Sequence, residues 1–195
     1  MIGQAVLAIS LGYLVGSFPS AYIAGRLLKG VDIREVGDGN MGAQNTYRQI
    51  SHKAGIAVGL VDAAKGAGAI LIARAFNVPE VAVLLAGLTA VMGHNWPIFL
   101  HFRGGRGEAT TIGIMTTLMP REMLILLGVA LVPFAFTRNV TFASVFLFAP
   151  LALVAWGFGV PGTYIIYSIA LPCLVGLTHL LATRRTMSNA MPKGT

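Results

Sequence analysis

Long apolar stretches dominate this chain, and most of its charged residues lie in the connections between them. Seven such stretches occupy residues 2–28, 54–76, 79–94, 107–119, 123–136, 140–156 and 163–182. Several approach the roughly 20 residues that an α-helix needs to span the hydrocarbon core of a bilayer. Charged residues make up only 11% of the 195 residues, too few to cover a soluble domain of this length. The pattern predicts an all-α integral membrane protein, a bundle of seven transmembrane helices in one domain, 1–195.

The stretch 107–119 is too short for a full span. At 1.5 Å per residue it would reach only about 20 Å, against a hydrocarbon core of about 30 Å. We expect it to begin inside the membrane after non-helical backbone, which is tolerated at depth only where protein buries it or where it lines a wet cavity. The bundle is therefore predicted to contain short or partly re-entrant helices, and this one favours a site nearby.

The basic residues predict the orientation of the bundle. With the N-terminus outside and seven alternating helices, eleven basic residues fall inside: Arg26, Lys29, Arg34, Arg48, Lys53, Arg103, Arg106, Arg138, Arg184, Arg185 and Lys193. Only Arg74 and Arg121 fall outside, and Lys65 lies within a helix. The C-terminus is then cytoplasmic. The net charge of +7 is expected to face an anionic membrane surface or a phosphorylated substrate rather than nucleic acid.

Two connections, residues 29–53 and 95–106, are the longest polar stretches of the chain and share the inside face in this topology. Binding and catalytic residues concentrate on loops that a rigid scaffold holds in place. The two connections are therefore predicted to build one site together.

The first connection alternates glycine with small polar residues over GDGNMGAQN. Glycine permits positive φ and close approach, so successive N–H groups can form a concave nest for an anion. Arg48 follows and offers a planar fork for phosphate oxygens. The alternative is a turn-rich loop with an exposed arginine. On the favoured interpretation the phosphate-binding residues are Gly37, Asp38, Gly39, Asn40, Gly42 and Asn45.

The second connection ends in a similar motif, in which Gly104 and Gly105 lie between two arginines and a helix then starts. Free N–H groups and the dipole at a helix N-terminus favour phosphate there. The alternative is that the arginines only anchor the loop at the inside face, which suits Arg103 better than Arg106. The expected ligand-binding residues are Gly104, Gly105, Arg106, Gly107 and Thr110.

Polar groups also lie within the apolar stretches. Asp62 and Lys65 are three residues apart and share a helix face. Since charges inside a membrane are costly and tend to be functional, Lys65 either binds substrate phosphate or simply pairs with Asp62. His94 is a candidate general base, a phosphate donor or an interfacial histidine. The remaining histidines, His52, His101 and His179, lack metal-type spacing, so no metal site is predicted.

Five motifs follow one another along the chain: Gly16-Ser17-Phe18-Pro19; Asp32-Ile33-Arg34 with GDGNMGAQN; Asp62-Ala63-Ala64-Lys65-Gly66; Gly93-His94-Asn95-Trp96-Pro97; and FRGGRGEAT. In order and spacing they resemble GSxP, DxR…GSGNxGATN, DxxKG, GHxxP and FxGGKGxAT. These are motifs of the bacterial acyl-phosphate-dependent glycerol-3-phosphate acyltransferases, the PlsY family. Each motif is modest alone, but five in order are specific, and the resemblance covers most of the chain.

The resemblance implies a multi-pass enzyme of the bacterial cytoplasmic membrane that works without a cofactor. It would transfer an acyl chain from acyl phosphate to the first hydroxyl of glycerol-3-phosphate, giving lysophosphatidic acid and phosphate for phospholipid synthesis. Its partners would be these two substrates and the lipid bilayer; the oligomeric state stays open. The residues expected to be catalytic are Arg48, Arg106 and His94, with Lys65 and His179 among those that bind substrate.

The chain departs from the family pattern in four places. Asp38 stands where the family has Ser, Gln44 where it has Thr, and Arg106 where it has Lys. At the C-terminal segment, an HRxN-like sequence is reduced to His179 followed by apolar residues. An anion at position 38 is expected to repel phosphate unless Arg34 or Arg48 pairs with it. Two alternatives remain: a transporter for a small phosphorylated or anionic solute, and a weakly active paralogue.

Overall fold

The computed structural model describes residues 1–190, with side chains as far as Leu181, and within that range it contains ten α-helices and no strand. The helices are α1 Ile2–Gly16, α2 Ser20–Lys29, α3 Ala43–Gln49, α4 His52–Ala75, α5 Glu80–Asn95, α6 Glu108–Leu118, α7 Pro120–Thr137, α8 Val140–Phe148, α9 Leu151–Gly157 and α10 Gly162–Ala190. Short 3₁₀ turns occupy Ile33–Glu35 and Ile98–Leu100. Of the basic residues counted above, Lys193 and the side chains of Arg184 and Arg185 lie outside the described part.

Six segments are long and apolar enough to cross a membrane: Ile2–Lys29, His52–Ala75, Glu80–Leu100, Pro120–Thr137, Val140–Gly157 and Gly162–Leu181. The remaining predicted stretch, 107–119, forms α6. This helix has 11 residues and is too short to span a membrane, as its sequence predicts. The prediction of an all-α integral membrane protein with a short helix is confirmed. The orientation of the termini stays a prediction.

Proline breaks two stretches that the sequence analysis treats as continuous helices. The stretch 2–28 divides into α1 and α2 at Pro19, and the stretch 140–156 divides into α8 and α9 at Pro150. Proline lacks an N–H group and its ring clashes with the carbonyl four residues earlier, so the series of helical hydrogen bonds is interrupted at each of these positions. Two other boundaries differ: residues 43–49 form a short helix inside the first connection, and α10 runs to Ala190 rather than 182.

Small residues bring the central helices into backbone contact. A Cβ atom at Gly16 of α1 would collide with the backbone of Ala90 in α5, and one at Gly66 of α4 would collide with the carbonyl of Thr110 in α6. Such close approach is the usual basis of helix association in lipid. Gly68 of the same helix, by contrast, has open space around it.

A cluster of buried apolar side chains lies beneath the two long connections. Its buried members include Ile33 and Met41 of the first connection, Leu100 of the second, and Val58 of α4. Because the connections share one buried cluster, removing apolar surface from water holds them against the bundle and against each other. The fold therefore fixes both polar loops at one end of α4 and α5.

Candidate active site

A buried polar network joins α2, α4 and α5. Asp62 is 1% exposed, and its Oδ1 lies 2.7 Å from Lys65 Nζ. The Ser20 hydroxyl donates to the same oxygen at 2.5 Å. Lys65 also donates to the carbonyl of Phe18 at 2.8 Å, a group that the break at Pro19 leaves available. The network thus ties the broken first span to α4.

His94 completes this network from α5. Its Nδ1 lies 3.3 Å from Lys65 Nζ, and a charged ammonium group has no lone pair, so Nδ1 is the acceptor and Nε2 carries the proton. The side chain is 3% exposed, and Nε2 lies against the α-carbon of Gly105. All three Lys65 protons are therefore taken by protein acceptors. This geometry supports pairing of Lys65 with Asp62, and the roles of Lys65 and His94 toward a substrate stay predictions.

Asn45 shapes the first connection from within. Its Nδ2 donates to the carbonyls of Ile33 at 3.1 Å and of Val36 and Asn40 at 3.0 Å. Gly37 has φ of +64°, and a Cβ there would collide with Asn45 Oδ1. Asn45 is 3% exposed. It holds the loop in shape and does not line the open site.

Arg34 links the two connections. It forms a two-point ion pair with Asp32, with Nε 3.0 Å from Oδ1 and Nη2 2.7 Å from Oδ2, and its Nη1 donates to the carbonyl of Leu100 at 3.2 Å. The hydrogen bonds from the guanidinium hold the pKa of the Asp32 carboxyl below its ordinary value. The pair is therefore charged at neutral pH and fixes one connection against the other.

The turn at Gly104 and Gly105 lies tightly against the end of α5. The N–H of Gly104 donates to the carbonyl of Asn95 at 3.1 Å, and that of Gly105 donates to the carbonyl of His94 at 3.0 Å. A Cβ at Gly105 would lie 2.7 Å from the carbonyl oxygen of Met41. Only glycine fits between α5 and the first connection, which explains the Gly-Gly pair in physical terms.

A cleft of about 570 Å³ opens between the two connections and α10. Its lining residues are Arg34, Glu35, Gly37, Asp38, Gly39, Asn40, Asn95, Trp96, Phe102, Arg103, Gly104, Gly105, Arg106, Thr178 and Leu181. Three arginines face two carboxylates, so the cleft carries net positive charge. Asp38 Oδ2 lies 3.4 Å from Arg106 Nη2 across the cleft. The prediction that the two connections converge is confirmed, and the expected partner of Asp38 is corrected from Arg34 or Arg48 to Arg106.

A second cavity, an apolar groove of about 340 Å³, runs between α8 and α10. Residues lining it include Glu108, Thr141, Phe148, Val175 and His179, and Arg106 lines both the groove and the cleft. The Arg106 side chain is 17% exposed, and its buried Nε has no hydrogen-bond partner among the described residues. Arg106 therefore stands where a polar cavity meets an apolar one.

The predicted site residues divide into two groups. Those that line the cleft are Gly37, Asp38, Gly39, Asn40, Gly104, Gly105 and Arg106, and His179 lines the groove. Those outside the cleft lining are Gly42, Asn45, Arg48, Lys65, His94, Gly107 and Thr110. Arg48 is exposed on α3, Gly42 precedes that helix, and Thr110 is fully buried in α6. The role of Arg48 stays a prediction without support from this geometry.

Sequence reasoning does not assign eight of the lining residues to ligand binding: Arg34, Glu35, Asn95, Trp96, Phe102, Arg103, Thr178 and Leu181. Arg103 was assigned to anchoring, Thr178 lies inside an apolar stretch, and Asn95 was noted only as the neighbour of His94. The available signal for Asn95 was its position, because it is a polar residue that ends an apolar helix and begins a long connection. Thr178 carried no such signal.

Fold and site together define a multi-pass membrane protein with a cationic cleft beside an apolar groove. The sequence model of one family, described as glycerol-3-phosphate acyltransferase, matches residues 6–189. The chain belongs to this family of acyltransferases.

Individual relatives agree with the family match. A protein of Dehalococcoides mccartyi named glycerol-3-phosphate acyltransferase 4 is 48% identical over 92% of this chain and 97% of its own. A glycerol-3-phosphate acyltransferase of a Synechococcus strain is 34% identical over 99% and 96%. The crystal structure of PlsY, an integral membrane glycerol 3-phosphate acyltransferase in its glycerol 3-phosphate form, superposes with a TM-score of 0.82 at 32% identity, covering 98% and 96% of the two chains. Its lysophosphatidic acid form gives a TM-score of 0.80 at 30% identity, over 98% and 95%.

Proposed function

We propose that this protein transfers an acyl chain from acyl phosphate to the first hydroxyl of glycerol-3-phosphate, producing lysophosphatidic acid and inorganic phosphate. Family membership supports acyl transfer, and the relatives' names support glycerol-3-phosphate as the acceptor. The same comparisons support this function and not transport of a phosphorylated solute.

The position of Arg106 is the observation that carries the proposal. Its side chain lines both the cationic cleft and the apolar groove. An acyl phosphate has a phosphate head and a hydrocarbon tail, so it fits with its head beside Arg106 and its tail in the groove. The acceptor carries a second phosphate, for which the cleft offers Arg103. The carbonyl carbon would then lie at the boundary between the cavities.

The chemistry needs little from the protein beyond positioning. The acceptor hydroxyl oxygen forms a bond to the acyl carbonyl carbon, the bond from that carbon to the phosphate oxygen breaks, and the hydroxyl proton passes to a phosphate oxygen. Because a mixed anhydride has a good leaving group, no covalent enzyme intermediate is required. Arg106 stabilises the negative charge that develops on the carbonyl and the departing phosphate. His94, engaged by Lys65, contributes to the shape of the site rather than taking the proton.

The site is assigned to the cytoplasmic side of a bacterial cell membrane. The multi-pass architecture supports the membrane, and the bias of eleven basic residues against two supports the side. With the N-terminus outside, both long connections face the compartment where phosphorylated metabolites are made.

The test is donor choice by the purified protein in detergent or liposomes. Radiolabelled glycerol-3-phosphate is incubated separately with acyl phosphate, acyl-CoA and acyl-carrier protein, and labelled lysophosphatidic acid is measured. We expect product only in the reaction that contains acyl phosphate. Product in a reaction that contains acyl-CoA or acyl-carrier protein, with none from acyl phosphate, would overturn the donor assignment.

The transport alternative is tested in the same liposomes. Glycerol-3-phosphate uptake without acyl phosphate and without product would favour a transporter and contradict acyl transfer. Growth of a strain that lacks its own acyltransferase separates the enzyme from a weakly active paralogue, because only a competent enzyme restores growth at normal expression.

A further inference from the structure

Asn95 is the last residue of α5 and one of the residues that line the cleft, and its side-chain amide makes no hydrogen bond within the described residues. The residue is 4% exposed, and both Oδ1 and Nδ2 are buried without a hydrogen-bond partner among the described residues. Buried amides are nearly always hydrogen-bonded, so an amide with both ends unpaired calls for an explanation. A ligand in the cleft supplies one.

The surroundings of Asn95 also lack partners. Its Oδ1 lies 2.8 Å from the position that a Cβ atom on Gly107 would occupy, which places the amide at the start of α6. The first N–H groups of any helix have no acceptor within it. The neighbouring Arg106 has a buried, unpaired Nε as well. The backbone of Asn95 is nevertheless fixed, because its carbonyl accepts from Gly104. The main chain of Asn95 is thus held in place, and its unpaired amide lies beside the start of α6 and the unpaired Nε of Arg106.

The chemistry of an amide identifies the ligand group. Asparagine presents both an acceptor oxygen and donor hydrogens. A phosphate dianion only accepts hydrogen bonds, so it would leave Oδ1 unpaired and facing negative charge. A hydroxyl group donates and accepts, and it satisfies both ends of the amide. The reacting hydroxyl loses its proton during transfer, whereas a neighbouring hydroxyl keeps both bonds throughout.

We infer that Asn95 binds the secondary hydroxyl of the acceptor and thereby selects a vicinal diol phosphate. This inference rests on the proposed acyl transfer to glycerol-3-phosphate and adds a specificity residue to it. A site built to pair a hydroxyl discriminates against an analogue that lacks it, because the buried amide is then left unpaired.

The test combines two acceptors with two proteins. Wild type and Asn95→Ala are assayed with glycerol-3-phosphate and with 3-hydroxypropyl phosphate, which lacks the secondary hydroxyl, and calorimetry measures binding of both compounds. For wild type we expect about tenfold higher kcat/KM and affinity with glycerol-3-phosphate, the usual effect of one hydrogen bond to a hydroxyl. In Asn95→Ala this preference should disappear, so that kcat/KM and affinity are about equal for the two compounds. The analogue itself should bind both proteins alike.

Controls separate the inference from the function on which it rests. Asn77→Gly removes an exposed asparagine from a connection outside the cleft lining and should retain the wild-type preference. Asn95→Leu, which keeps the branched shape of the native side chain but has no hydrogen-bonding groups, repeats the test, and thermal unfolding verifies that each variant is folded. Active variants that keep the preference overturn the role of Asn95 alone. Wild type that neither binds glycerol-3-phosphate nor acylates it overturns both.

Discussion

Lys65 and Arg106 are both basic residues in glycine-containing motifs, yet their surroundings are opposite. Lys65 is 6% exposed and contacts Asp62, Phe18 and His94, so each of its protons has an acceptor. Arg106 has one loose ion pair at 3.4 Å, and its Nε has no partner among the described residues. The first charge is consumed in holding helices together, and the second remains available for a ligand.

Energetics explain why both arrangements coexist. A buried charge loses its hydration, and only close partners with good geometry offset that loss. The network around Asp62 meets this requirement closely, although Asp62 Oδ2 has no partner among the described residues. The cleft does not meet it, which is tolerable because water or an anionic ligand can reach it. Satisfied charges therefore mark the scaffold, and unsatisfied charges mark the site.

The largest expected effect comes from breaking the buried pair. Asp62→Leu leaves Lys65 charged without its main partner, which typically costs about 3 to 5 kcal/mol of unfolding free energy. Denaturation in mixed detergent measures the loss. The double variant Asp62→Leu with Lys65→Met removes both charges and should recover most of it. A double variant less stable than Asp62→Leu would show that the network does more than balance charge.

The reverse expectation holds for the cleft. Arg106→Ala should lower kcat/KM about 100-fold, because it removes a donor aimed at charge that develops during transfer. The free energy of unfolding should change by less than about 1 kcal/mol, since the ion pair is loose and its Asp38 partner is half exposed. Steady-state assays and denaturation of the same preparation make the comparison, with Arg106→Lys expected to restore part of the rate.

Arg74→Ala is the matched control for this variant. Arg74 is 40% exposed and lies outside the cleft, with Glu80 3.9 Å away, so its removal should leave the rate unchanged. If Arg106→Ala kept wild-type turnover, the division between scaffold charges and site charges would be wrong. The same assay on Arg48→Ala decides whether the exposed Arg48 takes part.

Sequence patterns predict the features that depend on local composition and on the length of each apolar stretch. Hydrophobic runs identified the spans, the length of 107–119 identified α6 as short, and the position of the two polar connections predicted their convergence. These properties follow from composition within a window of a few turns, so no tertiary contact is needed to see them.

Partner choice could not be predicted in the same way. Pairing of Lys65 with His94 spans 29 residues, and the approach of Asp38 to Arg106 depends on how both connections fold over the end of α5. Asn95 is equally hidden, because its importance comes from partners that it lacks. Pro19 itself indicates a helix break, but the apolar stretch continues on both sides of it, so hydrophobicity alone predicts one continuous helix.

The pair of Asp32 and Arg34 lies between the two extremes, since it is structural but borders the cleft. Arg34 lowers the pKa of Asp32 in the folded protein, so the pair's contribution to stability is fully present above about pH 4 and is lost as pH falls through the lowered pKa. Asp32→Asn should cost about 1 to 2 kcal/mol at pH 7. The difference from wild type should shrink below pH 4 in acid denaturation. If the difference in unfolding free energy between wild type and Asp32→Asn did not change with pH, the hydrogen bonds and not the charge would provide the stability.

The smallest effect is expected at Asp38, which tests directly whether a charge belongs to the scaffold or to the site. Asp38 Oδ2 neutralises part of Arg106 in the cleft, and the carboxylate is half exposed, so the pair is weak. A substrate phosphate must compete with it for the same guanidinium. Asp38→Asn keeps the side-chain oxygen that accepts from the N–H of Asn40 and removes only the charge. We expect the KM for acyl phosphate, whose phosphate is assigned to Arg106, to fall about threefold at low salt. The difference in KM between the variant and wild type should narrow as salt screens both proteins. A higher KM for Asp38→Asn would mean that Asp38 orients Arg106 for the substrate, and position 38 would then belong with the satisfied charges of the scaffold.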